Sequence, residues 1–218
     1  MTDTRPVYEA VARQFDRDRS KSLMEKFYLD RVLALLGGGK KILDLGCGSA
    51  EPIAKFFIDA GRGITGVDAA TAMIALCRER YPEQTWIEGD MRALDLGRRF
   101  NAIIAWDSFF HLPAAGQRAM FPVFARHAAP GAPLLFTSGP RAGVAMGEIY
   151  GHALHHASLD TAEYGQLLAA HGFEVLLHRV EDPDCGRHTV WLAQARRRAA
   201  ARATARAAPS VCATTTRG

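Results

Sequence analysis

Short unbroken apolar runs alternate along the chain with longer stretches in which apolar residues recur every three or four positions. The first kind predicts strands covered on both faces, the second helices with one buried stripe. From about Val7 to Leu36 the residues Leu23, Phe27, Val32, Leu35 and Leu36 keep helical spacing, and Gly37-Gly38-Gly39 stops the helix. Lys41 to Leu45 is a short strand. Pro52 then occupies a first helical position, and Ile53, Phe56, Phe57 and Ala60 line one face before Gly61. Gly63 to Val67 predicts a second strand, Thr71 to Arg80 a helix closed by Tyr81-Pro82, and Thr85 to Glu88 a third strand. Two further apolar runs, Ala102 to Trp106 and Pro133 to Thr137, bracket a helix over Gln117 to His127, and Asp160 with Glu163 caps a helix that ends at His171-Gly172.

The last two strand-like runs, Phe173 to Val180 and Thr189 to Ala193, have only EDPDCGRH between them. So short a connection makes them antiparallel, because a parallel crossover needs a dozen or more residues. Seven strands alternating with helices imply an α/β three-layer αβα sandwich, its sheet mostly parallel with one antiparallel strand at its end. Residues 1–36 form an N-terminal helical segment, 37–195 the α/β domain and 196–218 a tail.

Composition narrows the partners. The formal net charge is +4, but six of the 27 basic residues are arginines at or beyond Arg196, where no acid occurs. Removing those six leaves 21 bases against 23 acids, so the body carries about −2. A nucleic-acid binder is expected to carry its basic face on the folded domain, so no nucleic-acid partner is expected, and the Ala/Arg-rich tail is expected to be disordered. The four cysteines, Cys47, Cys77, Cys185 and Cys212, show no CxxC pair, which disfavours a zinc ribbon and a dense disulfide framework and fits a reducing cytoplasm. No apolar run approaches the roughly 20 residues that span a bilayer, and the charged N-terminus does not fit a signal peptide, so the expectation is a soluble, cytoplasmic protein, monomeric or homodimeric.

Candidate chemistry concentrates in KKILDLGCGSAEP, Lys40 to Pro52. In an open parallel sheet, ligands bind beyond the carboxyl ends of the strands, where this stretch turns from strand into helix. Gly46 and Gly48 permit close backbone approach, so the turn can press its amides against a ligand. The helix N-terminus behind it suits an anionic group. Yet the third glycine of the dinucleotide GxGxxG pattern is missing and Glu51 would face a pyrophosphate, so a phosphate is disfavoured.

Asp44-Leu-Gly46-Cys-Gly48-Ser-Ala50 resembles the first motif of the class I S-adenosylmethionine-dependent methyltransferases, with Ala50 where the family usually has a third glycine. Three more stretches fall where that family places them: Asp68 at the end of the second strand, Glu88-Gly89-Asp90-Met91 after the third, and Trp106-Asp107-Ser108-Phe109-Phe110-His111-Leu112 after the fourth. The resemblance implies a Rossmann-like methyltransferase fold with S-adenosylmethionine as cofactor. It implies that Asp44, Gly46, Cys47 and Gly48 form the cofactor loop, that Asp68 beside Ala69 takes the ribose hydroxyls, and that Asp90 and Met91 read the adenine. Trp106 is either core or a wall of the cofactor site.

Methyl transfer needs alignment, desolvation and, for some acceptors, removal of a proton. Asp107 and His111 are the candidate bases, and by analogy Tyr8 and Phe15 would close over the site as a lid. No Asn/Asp-Pro-Pro-Tyr pattern is present, which argues against an exocyclic amine or amide of the kind that motif serves, and the expected acceptor is a small molecule. The insert GPRAGVAMGEIYGHALHHASLD places His152 and His156 one helical turn apart, but without HExxH or a clear third ligand no metal is assigned. A macromolecule-modifying or non-catalytic protein of the same cofactor fold, and an NAD-dependent oxidoreductase, remain as alternatives.

Overall fold

A computed structural model describes residues 3–197. The reading of the tail from residue 198 onward lies outside them. Helices α1 (Arg5–Asp18) and α2 (Lys26–Leu36) precede strand β1 (Lys41–Leu45), after which come α3 (Ile53–Asp59), β2 (Gly63–Asp68), α4 (Thr71–Arg80), β3 (Thr85–Glu88) and β4 (Ala102–Ala105). The second half runs α5 (Ala114–His127), β5 (Pro133–Ser138), β6 (Gly143–Ile149), β7 (His152–Ser158), α6 (Thr161–Ala170), β8 (Phe173–Asp182) and β9 (His188–Ala195).

Seven strands form one sheet in the order β3-β2-β1-β4-β5-β9-β8. Only β9 runs against its neighbours. The reversed strand is therefore not at the sheet's end as expected: it is inserted between β5 and β8, because the short connection returns β9 into the slot left open beside β5. Since successive side chains of a strand point to opposite faces, each buried strand feeds two cores. Leu43, Ile103, Leu134 and Phe136 pack under α5 and α6 with Phe121, Phe124, Tyr164 and Leu168. Ile42, Ile104, Leu135 and Leu192 pack on the opposite face with Tyr28, Leu29, Phe57 and Ile74 of α2, α3 and α4. Fully burying one such side chain contributes about 1.5–3 kcal/mol.

Three expectations are corrected. The opening segment is two helices, not one: Asp16 to Glu25 is almost wholly polar, Ser20 and Ser22 hydrogen-bond each other at 2.9 Å, and Leu23 has φ +52°. Leu23 therefore lies in the break, and Phe27 is on the exposed side of α2. The insert after β5 is a β-hairpin, β6 paired antiparallel with β7, so His152 and His156 are not one helical turn apart. Tyr150 and Gly151 close it with φ of +50° and +79°, the conformation that matches a two-residue hairpin turn to strand twist. Finally, α3 begins at Ile53, with Pro52 as the capping residue.

Candidate active site

The strand order reverses at β1, which has β2 on one side and β4 on the other. The carboxyl ends of β1 to β4 there surround a cavity of about 620 Å³. Asp44, Gly46, Cys47, Gly48, Asp68, Ala69, Asp90, Met91, Trp106, Asp107 and His111, the residues expected to bind cofactor or act as bases, line that one cavity, whereas Ala50, Phe109, Phe110, His152 and His156 do not. Helix α1 forms the remaining wall with Tyr8 and Phe15, and the segment after it adds Arg19. Ala12 of α1 packs with Ala70, Met73 and Leu76 at the start of α4, with Tyr8 and Phe15 alongside.

The glycine turn is built from the inside. The N–H groups of Gly46 and Cys47 donate to the Val67 carbonyl at 2.7 and 3.1 Å, and the Gly48 N–H donates to Asp68 Oδ2 at 2.9 Å. These amides are thus engaged within the fold, contrary to the expectation that they would clasp a ligand. Gly46 is required sterically: at φ +72°, a Cβ there would meet the Ser108 Cβ at 2.2 Å, and the Met91 Cε lies 3.3 Å from the same point. At Gly48, φ +52°, the position of a Cβ is open space on the cavity wall. Ala50, standing where the family motif has its third glycine, takes a left-handed φ of +70° regardless.

Asp68 accepts a second hydrogen bond, from the Ala70 N–H to Oδ1 at 2.9 Å. Each carboxylate oxygen accepts two hydrogen bonds, so both retain capacity toward the cavity. Burial raises the carboxyl of Asp68, and raises Asp44 to about 7, helped by the charge of Asp68. Asp90 is bound by Arg92, whose Nη2 lies 2.5 Å from Oδ2 and whose backbone N–H donates to Oδ1 at 2.9 Å; the hydrogen bonds hold Asp90 low. Glu51 serves the scaffold: Lys21 Nζ lies at 2.9 Å and the Tyr81 hydroxyl donates at 3.1 Å.

At the other end of the cavity, His111 Nδ1 lies 3.2 Å from the His155 carbonyl oxygen and Nε2 lies 2.9 Å from the Tyr8 hydroxyl. A carbonyl only accepts, so Nδ1 carries the hydrogen and Tyr8 donates to the Nε2 lone pair. Burial drives the imidazole down to about 4 and the phenol up to about 12, so both are neutral near pH 7. Asp107, at φ +48°, donates its N–H to Thr137 Oγ1 at 2.9 Å and faces both His188 and Arg19. Trp106 is buried in the core and also lines the cavity, and its Nε1 has no partner among the described residues.

Sequence reasoning missed Arg19, Ser108 and His188. Ser108 stood inside a quoted motif and donates from Oγ to the Leu45 carbonyl at 2.6 Å, bracing β1. No local pattern marks Arg19 or His188. The histidines of the hairpin form no metal site, and no group of three or more His, Cys, Asp or Glu able to hold a metal ion occurs among the described residues.

The lining suits a cationic, nucleoside-like ligand. Seven carboxylates but only three guanidinium groups face it, which disfavours a pyrophosphate, while the open wall at Gly48 and the apolar faces of Ile53, Met73 and Met91 leave room for flat and aliphatic parts.

This sandwich, with its single reversed strand and its cavity at the β1 switch point, is the fold of the class I S-adenosylmethionine-dependent methyltransferases. Residues 42–131 match the family described as "Methyltransferase domain". The SAM-bound amino pentose methyltransferase CalS10 from Micromonospora echinaspora superposes with a TM-score of 0.65 at 23% identity, over 86% of this chain and 96% of that one. An S-adenosylmethionine-dependent methyltransferase from Clostridium acetobutylicum gives 0.67 at 11% identity, over 87% and 99%. By sequence, the chain is 34% identical to a dTDP-3-amino-3,6-dideoxy-alpha-D-glucopyranose N,N-dimethyltransferase of Streptomyces fradiae over 89 residues, 40% of this chain and 34% of that protein. It is 33% identical to a malonyl-[acyl-carrier protein] O-methyltransferase of Pectobacterium atrosepticum over 95 residues, 40% and 37%. The chain thus spans well under half the length of these curated relatives. No helix among the described residues is long and apolar enough to cross a membrane.

Proposed function

We propose that the protein transfers a methyl group from S-adenosylmethionine to a small-molecule acceptor by in-line displacement. The observation that carries this reading is the convergence of four separate strand ends, bearing Asp44, Asp68, Asp90-Met91 and Trp106-Asp107, on one cavity of about 620 Å³. Bound there, S-adenosylmethionine would supply an electrophilic methyl on a sulfonium. Asp68 would hold the ribose hydroxyls, Met91 and Asp90 the adenine, and the glycine turn with Cys47 and Ala69 would form the floor. Arg19 donates no side-chain hydrogen bond among the described residues and lies 3.8 Å from its nearest carboxylate, which suits it to the carboxylate at the cofactor's amino-acid end.

Toward the acceptor, the chain aligns and excludes water. Tyr8 and Phe15 meet edge to face at 5.6 Å and Tyr8 packs on His111 at 5.5 Å, so α1 forms an aromatic roof; of residues 1–36 we read α1 and the segment to Arg19 as the lid, since α2 packs in the core. Nε2 of His111 accepts the Tyr8 hydrogen, so a proton released by the acceptor would reach it through the Tyr8 hydroxyl, which passes its own hydrogen to Nε2. Because burial depresses that imidazole, the rate rests on alignment more than on proton removal. A relative named as a dTDP-amino-sugar N,N-dimethyltransferase supports a small acceptor, and one named as a malonyl-[acyl-carrier protein] O-methyltransferase keeps oxygen open beside nitrogen. Cytoplasmic placement is supported by the free, buried thiols of Cys47, Cys77 and Cys185.

Calorimetric titration with S-adenosylhomocysteine and with NAD tests the cofactor, and binding of NAD alone overturns the reading. A panel of amino-sugar nucleotides and small carboxylates with labelled methyl donor then tests the acceptor; label transferred only to nucleic acid or protein overturns the small-molecule assignment.

A further inference from the structure

His188 opens β9 and stands behind the cavity wall. Its Nδ1 lies 2.7 Å from the Cys185 carbonyl oxygen, and its Nε2 lies 3.0 Å from one Asp107 carboxylate oxygen and 3.2 Å from the other. A carbonyl and a carboxylate can only accept, so both ring nitrogens carry hydrogen and the ring is an imidazolium. Trp106 stacks on it with centroids 5.4 Å apart and planes at 29°, which fixes the ring's orientation and holds off water. The hydrogen bond to Asp107 raises this histidine above its ordinary value, against burial.

Asp44, raised to about 7 by burial and the charge of Asp68, faces Arg19 from the end of β1. Arg19 approaches Oδ2 of Asp107, one of the two oxygens that His188 reaches, at 3.8 Å, and Glu25, buried at the start of α2, faces the same cluster with its carboxyl raised by burial. Cys185 is a buried thiol pushed up to about 12 and stays neutral. The Asp107 main chain is held in place by Thr137, whose Oγ1 accepts its N–H at 2.9 Å. With His188 charged, Arg19, His188 and Asp107 together carry +1, and the carboxylate is already satisfied by the imidazolium. Without that proton the trio is neutral, and Asp107 has only Arg19 to pair with.

We propose that His188 is a positioning residue: by engaging Asp107 from behind, it leaves the Arg19 guanidinium free to receive the carboxylate at the amino-acid end of the cofactor. The inference rests on the cofactor reading above. It joins Arg19 of the lid, Asp107 after β4 and His188 of the reversed strand in one relay, and makes affinity for the amino-acid end depend on pH.

The test is calorimetry on the full chain between pH 6 and 8.5 with two ligands, S-adenosylhomocysteine and methylthioadenosine, which lacks the amino-acid end. In the wild type, S-adenosylhomocysteine binding weakens about tenfold as His188 loses its proton, the size of one charge-assisted contact, while methylthioadenosine binding stays flat. His188→Gln keeps a donor toward Asp107 but no charge. It binds S-adenosylhomocysteine about tenfold more weakly at pH 6.5, shows little further change with pH, and binds methylthioadenosine as the wild type does. The ligand's own ammonium and Asp44, raised to about 7, titrate alike in both proteins and cancel in the comparison. An equal pH slope in His188→Gln, or an equal loss for both ligands, overturns the proposal, and His188→Asn, read in the same way, decides it should His188→Gln not fold. Failure of the wild type to bind either ligand sinks the cofactor reading and this proposal together.

Discussion

Asp68 at the end of β2 accepts the N–H of Gly48 in the glycine turn at 2.9 Å, so the acid expected to grip a sugar also holds the loop beside it in shape. Asp68→Ala removes both functions. S-Adenosylhomocysteine affinity should fall about ten- to hundredfold, the range for hydrogen bonds to a charged group. Asp68→Asn, which keeps one accepting oxygen, should fall between. Calorimetry measures both, and unchanged affinity in the alanine variant would remove Asp68 from the site.

The two glycines of the turn should respond differently to alanine. Both have left-handed φ, which costs an L-residue about 1–2 kcal/mol. At Gly46 the added Cβ also meets Ser108 at 2.2 Å, so Gly46→Ala should lose clearly more stability, seen as a lower denaturant midpoint. At Gly48 nothing lies within 4 Å, so Gly48→Ala should fold with only the conformational cost and lose ligand affinity instead. Similar unfolding midpoints for the two variants would contradict this difference.

Tyr8 donates to Nε2 of His111, and burial holds that imidazole down to about 4. The group is neutral above that value, so kcat/KM should show no acidic limb near pH 6.5 from His111. Because the folded value is depressed, stability is unaffected by this group above pH 6.5 and is lost as the pH falls toward 4. Tyr8→Phe should reduce turnover less than about tenfold if alignment sets the rate. A loss of a hundredfold or more, typical of a general acid or base, would show that the pair moves a proton in the rate-limiting step.

Arg80 ties α1 to the glycine loop. It donates to both oxygens of Asp16, at 3.0 and 2.8 Å, and to the Ser49 carbonyl at 2.9 Å. The hydrogen bond from Arg80 holds Asp16 down to about 2, so its contribution is present above the ordinary carboxylate value and is lost as the pH falls from about 4 toward 2. Arg80→Met should cost about 1–3 kcal/mol, because the buried Asp16 carboxylate loses its partner. It should also expose α1 to limited proteolysis, and protection equal to the wild type would show that α1 is held by its apolar contacts alone.

The parts of the site legible in the sequence are those whose chemistry is local. A strand, an acid and glycines at alternate positions constrain backbone conformation within a few residues, so Asp44, Gly46, Gly48 and Asp68 stand out in isolation. Their amides did not behave as expected, because Val67 and Asp68, from the neighbouring strand, compete for them successfully. In the β6–β7 hairpin the spacing of His152 and His156 fits a helix as well as a strand, and the decisive signal is the Tyr150-Gly151 turn.

By itself, the sequence determined the strand and helix rhythm from β1 to β5, the antiparallel pairing of the last two strands and the four motif stretches, all of which depend on periodicity and turn chemistry within a few residues. Only the tertiary structure decided that β9 runs between β5 and β8, that α1 roofs the cavity, and that Arg19, Asp107 and His188 meet. The physical reason is that hydrogen bonds and ion pairs act across a few ångströms of space: His188 stands 81 residues from its partner Asp107 along the chain, where no spacing rule reaches.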